Sequence, residues 1–177
     1  MPINNIWLKT KRLIIYHPNK DHFDLYQELL RNAEVTKYIF DPKNEYDIKS
    51  DFDIVMSQYT KHGYSVSPIF KSDSLEFIGR AGFVNKTYNN KEYICLSYLL
   101  LPKFWNKGYA SEAVKEIINF GFNHLNQDEI LVYINVSNLA SQKLLQKFNP
   151  KLIDKIEHLN MSFFRYLLTK NIKNNHL

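Results

Sequence analysis

The stretch that most constrains this chain runs from Leu99, Leu100, Leu101 and Pro102 through Trp105, Asn106, Lys107 and Gly108 to Tyr109, Ala110, Ser111, Glu112, Ala113 and Val114. An apolar run stops at a proline. Past one glycine, apolar positions resume at helical spacing at Ala110, Ala113, Val114, Ile117, Ile118, Gly121, Phe122 and Leu125. The pattern reads as a strand, a short loop and a long helix with one buried face. A helix start presents N–H groups without intrahelical partners and the positive end of the macrodipole. Gly108 gives the backbone freedom to curl and Lys107 adds charge, so the loop suits a phosphate. Taken alone, the same residues fit an ordinary strand-to-helix turn.

The remaining segments arrange themselves around that loop. Leu8 to Tyr16 reads as a first strand, stopped by Pro18. Asp21 precedes a helical pattern in Phe23, Leu25, Tyr26, Leu29 and Leu30, with a second short piece at Val35 to Ile39 and a break at Asp41 and Pro42. Asn44 to His62 keeps helical spacing, and Gly63 closes that helix. Tyr64 to Phe70 is a second strand in which Pro68 predicts an edge position or a bulge. Leu75 to Lys86 and Glu92 to Leu101 form a hairpin turning at Asn89 and Asn90. After the long helix come a fifth strand, Glu129 to Val136, a helix, Asn138 to Phe148, and a closing hairpin of Leu152 to His158 and Met161 to Thr169. One α/β (α+β) domain over residues 1–170 is expected, followed by a polar tail over 171–177.

Composition narrows the partners. With 177 residues, 45% of them hydrophobic, the chain can bury one substantial core. A net charge of +5 favours anionic partners, but no block of five or more basic residues chooses between nucleic acid and a nucleotide cofactor. The single Cys95 excludes an internal disulfide and a cysteine-based zinc site, and its apolar surroundings predict a core residue. His17, His22, His62, His124, His158 and His176 show no metal-ligand spacing, so no metal is expected. The start resembles no signal peptide and no apolar segment reaches membrane-spanning length. A cytoplasmic protein with no membrane partner is expected.

Two segments carry a family resemblance. Tyr98 to Val114 resembles the coenzyme A loop of the GCN5-related N-acetyltransferases (GNAT), closest to the branch of ribosomal-protein N-terminal (Rim-type) enzymes. Val136 to Lys147, with Asn138 and Ser141, is similar to that branch's Asn-x-x-Ser segment and the helix after it. The resemblance implies the GNAT fold: a mixed, mostly antiparallel sheet of about seven strands, splayed between the fourth and fifth and flanked by helices. It implies acetyl-coenzyme A as cosubstrate. Its pantetheine arm would be held by main-chain groups of Leu99, Leu100 and Leu101, and its diphosphate by Asn106, Lys107, Gly108, Tyr109, Ala110 and Ser111, with Asn138 nearby. Asn106 stands where the branch commonly has glycine, and asparagine tolerates the left-handed backbone such a loop needs. Asn149 likewise replaces a glycine in the turn after the second helix.

Transfer of an acetyl group to an amine needs a neutral amine, a donor for the developing oxyanion and a proton for the leaving thiolate. The resemblance assigns the proton to Ser141, because Leu145 occupies the place where many GNAT enzymes carry a tyrosine. Cys95 lies where the branch often has its glutamate, which leaves Glu92 and Glu76 as candidate bases. An α-amine, with a pKa of about 7.7–8.0, needs far less help than a lysine near ~10.4. The branch therefore points to a peptide or protein N-terminus as acceptor. A polyamine or antibiotic amine, a non-catalytic coenzyme-binding module and a basic nucleic-acid binder are the alternatives, and either a monomer or a homodimer is compatible with the sequence.

Overall fold

The computed structural model describes residues 5–40, 47–158 and 160–170. Its strands are β1 (Ile6–Lys9), β2 (Leu13–Tyr16), β3 (Val66–Lys71), β4 (Phe77–Tyr88), β5 (Lys91–Leu100), β6 (Glu129–Asn135), β7 (Lys151–His158) and β8 (Met161–Thr169). The helices are α1 (Phe23–Arg31), α2 (Ala33–Thr36), α3 (Ile48–His62), α4 (Tyr109–Asn123) and α5 (Leu139–Leu145). All eight strands form one sheet in the order β1-β2-β3-β4-β5-β6-β8-β7. The expected tail at 171–177, the break at Asp41 and Pro42 and the start of the third helix at Asn44 lie outside the described residues.

Eight strands replace the expected seven because Leu8 to Tyr16 is a hairpin. Thr10 N–H donates to Leu13 O at 2.9 Å, and Leu13 N–H donates to Thr10 Oγ1 at 3.0 Å, folding the chain back. The threonine's local bonds outweigh the continuous strand pattern. Pro68 is not at an edge, since β3 lies between β2 and β4. It is tolerated because the β2 pairing reaches only Ile15 with Ile69, and a bulge follows on the β4 side between Ile69 and Phe70. Asn89 and Asn90 both take left-handed φ, 48° and 60°, as a tight hairpin turn requires.

The helices take opposite faces of the sheet. The buried residues of α4, Ala113, Val114, Ile117, Ile118 and Gly121, lie on the face of Phe83, Ile94 and Ile130. Its neighbour in β4, Val84, points the other way and packs with Tyr26 of α1 and Phe52 and Val55 of α3. One junction in the sheet is parallel. There β5 and β6 pair only at Ile94 with Ile130, Cys95 with Leu131 and Leu96 with Val132. Beyond those pairs β5 stays with β4 to Leu100, while β6 stays with β8 to Asn135. The two strands therefore diverge, and a gap opens between Ser97–Leu100 and Tyr133–Asn135.

Candidate active site

The gap opens into a cleft of about 700 Å³ walled by the end of β5, the loop into α4, the first turn of α5 and α2. Gly108 is the N-cap of α4, with φ 80°, and supplies no side chain to cap the helix. The first intrahelical donor is Glu112 N–H, bonded to Gly108 O at 3.1 Å. The N–H groups of Tyr109, Ala110 and Ser111 thus lack partners within the helix, and all three residues line the cleft. Asn106 adopts φ 59°, the left-handed turn expected of it. Lys147 Nζ donates to Ser111 Oγ at 3.3 Å across the cleft, and Lys143 lines the same wall. Uncapped donors, a glycine turn and two ammonium groups fit a diphosphate and the nucleotide that carries it.

Main-chain groups of β5 face the gap by alternation. Leu101 N–H donates to Ile78 O of β4 at 2.9 Å, so Leu101 and Leu99 turn their backbone polar groups toward β4. Those of Tyr98 and Leu100 turn toward the gap. Leu100 O already accepts from Trp105 Nε1 at 2.7 Å. Of the three leucines expected to hold a pantetheine arm, only Leu100 presents its main chain to the cleft, and Tyr98 joins it. The sequence resemblance located the strand end but not the phase of its alternation, which the hairpin register with β4 sets. Lys107 is on the loop but not on the cleft wall.

Ser141 lies in the first turn of α5, where its N–H is capped by Asn138 Oδ1 at 3.1 Å. Both residues line the cleft. The Tyr98 hydroxyl donates to Ser141 O at 3.4 Å, and burial raises the Tyr98 pKa, so the phenol stays neutral at physiological pH. Glu92 does not reach this place. It pairs with Thr87 at the opposite end of β5 and borders a separate small hollow with Asn126 and Asp128. Glu76 lies outside the cleft and is paired with Lys103 at 2.8 Å. Glu34, on α2, is the carboxylate that lines the cleft among the described residues, and Lys37 lies beside it. Sequence periodicity gave α2 only as a short helical piece, so neither residue stood out.

Residues 12–149 match the acetyltransferase (GNAT) domain family. The chain belongs to the GNAT acetyltransferase family. As a GNAT acetyltransferase it is an enzyme that uses acetyl-coenzyme A to acetylate amines. It is 28% identical over 144 residues to the uncharacterized N-acetyltransferase p20 of Bacillus licheniformis, a match that covers 80% of each chain. Solved folds superpose closely. The ribosomal-protein-S5-alanine acetyltransferase of Vibrio fischeri gives a TM-score of 0.74 at 13% identity, covering 93% of this chain and 97% of that one. The spermidine N-acetyltransferase of Vibrio cholerae, solved with CoA and spermine, gives 0.70 at 16% identity, covering 91% and 97%. The expected fold, with its splayed sheet, is thereby established. Among the described residues no helix is long and apolar enough to cross a membrane, and no three His, Cys, Asp or Glu side chains cluster as metal ligands would.

Proposed function

We propose that this GNAT acetyltransferase acetylates the N-terminal α-amine of a peptide or protein. The observation that carries the reading is the charge of the cleft. Among the described residues, Lys143 and Lys147 line the diphosphate end, and Lys37 with one carboxylate, Glu34, are the charged groups left on the wall for the acceptor. A polyamine carries several positive charges and needs several carboxylates to displace its water. A peptide N-terminus carries one charge, and its pKa of about 7.7–8.0 leaves a useful neutral fraction without a strong base.

In this reading the unpaired N–H groups of Tyr109, Ala110 and Ser111 hold the diphosphate, and Lys143 and Lys147 flank it. The backbone of Tyr98 and the Leu100 N–H direct the acyl arm along the open edge of β5, as a sheet edge receives an extended peptide. Acetyl-coenzyme A supplies the activated thioester carbon. As the new C–N bond forms and the C–S bond breaks, the Ser141 hydroxyl hands a proton to the departing thiolate and takes one back from solvent, so that it ends the step as a neutral hydroxyl. Glu34, through water, accepts the proton that the acceptor nitrogen loses. No covalent link to the enzyme is needed.

The test is a panel of acceptors assayed by thiol release. It compares peptides with free N-termini, the same peptides blocked at the N-terminus but containing lysine, spermidine, and an aminoglycoside. Free N-termini are expected to exceed spermidine by at least about tenfold in kcat/KM. A preference for spermidine or for the blocked lysine peptides overturns the acceptor assignment. Tight coenzyme binding with no turnover on any member overturns the acceptor assignment as well.

A further inference from the structure

The turn between β1 and β2 reaches a hundred residues along the sequence to hold the start of α4. Thr10 Oγ1 donates to Glu112 Oε1 at 2.6 Å, and Arg12 N–H donates to the same oxygen at 2.8 Å. Arg12 Nε donates to Glu112 Oε2 at 2.6 Å. Arg12 Nη1 donates to Lys107 O at 3.0 Å, directly before Gly108. The guanidinium also lies over the Tyr109 ring, 4.5 Å from its centre. Five contacts from one short turn thus converge on the residue before Gly108 and on the first turn of α4.

Glu112 is an awkward residue to find there. A carboxylate in the first turn of a helix is favourable to that helix, but it repels any second anion bound at the same terminus. Arg12 cancels that repulsion while fixing the carboxylate in place, and its bond to Lys107 O fixes the one loop carbonyl that precedes the glycine. We infer that Arg12, with Thr10, is a positioning residue for the coenzyme. The β1–β2 turn neutralises Glu112 and sets the orientation of the α4 amides, so that the terminus accepts a diphosphate. This rests on the diphosphate being held at the start of α4, as proposed above.

The experiment compares two acetyl donors, acetyl-coenzyme A and acetyl-pantetheine, which lacks the diphosphate. Arg12→Met is expected to raise KM for acetyl-coenzyme A by about tenfold or more, with little change in kcat, and to leave kcat/KM for acetyl-pantetheine within about twofold. Arg12→Met combined with Glu112→Gln removes the bare carboxylate and is expected to recover part of the loss. Arg12→Lys, which keeps the charge and loses the planar fork, is expected to fall between, and it serves if Arg12→Met does not fold. Equal losses with both donors, or a double variant worse than the single, overturn the proposal. Gly108→Asp separates the two levels. If it leaves coenzyme affinity unchanged, the loop assignment itself fails, whatever Arg12 does.

Discussion

Cys95 is buried within the sheet, its thiol unpaired with any other cysteine. It is 4% exposed on β5, and burial pushes its thiol up to about 11. A thiol that stays protonated at neutral pH is a poor nucleophile, so native protein at pH 8 should react with a thiol-specific reagent at least about a hundredfold more slowly than denatured protein. Comparable rates would show that β5 opens readily. Gly108 is the complementary case, a residue whose value lies in having no side chain. Its φ of 80° disfavours any side chain, whereas the space is open, an added Cβ meeting only Arg12 Nη2 at 3.4 Å. Gly108→Asp should weaken coenzyme binding by about tenfold or more in calorimetry, while unfolding shows a loss of only ~1–2 kcal/mol from the left-handed backbone. The left-handed Asn106 and Asn149 were legible in advance because asparagine in place of a loop glycine has few other uses. Glu34, Lys37 and Lys147 were not legible. Their role depends on which elements meet across the cleft, and no local pattern encodes that.

At the scale of elements, the sequence was most legible where periodicity ran long. The α4 helix and the β4–β5 hairpin fall within a few residues of their expected bounds, because a long buried stripe or an alternating run with an Asn-Asn turn admits few alternatives. Short elements were harder to read. Thr10 turned one expected strand into two, and Pro68 entered an interior strand because the neighbouring ladder ends beside it. A close approach of two strands sits next to the cleft. A Cβ on Gly79 would lie 2.1 Å from Leu99 O and 2.7 Å from Leu100 Cα. That overlap involves backbone on both sides, so Gly79→Ala should destabilise the protein by about 3 kcal/mol or more in urea unfolding. A loss under about 1 kcal/mol would mean that β4 and β5 slide freely at this point.

For the whole molecule, the tie between residues 10–12 and Glu112 has a signature in acid. Partial burial works against the Glu112 charge, but hydrogen bonds from Thr10 and Arg12 outweigh it and hold the carboxyl below the usual range. A carboxylate with a lowered folded pKa contributes its stability above the unfolded value, about 4.3, and loses it as pH falls through the folded value. Melting temperature measured from pH 6 down to pH 3 should therefore fall less for Glu112→Gln than for the natural protein, with the two curves converging at the acid end. Parallel curves would remove Glu112 from the account. The sheet itself is two antiparallel halves, β1 to β5 and β6 to β8, joined over three residue pairs. A substrate seated in the opening above that short seam touches both halves at once and acts as a stitch between them. Hydrogen exchange in β5 and β6 should slow together when the donor substrate is present, so the two halves report its arrival as one body.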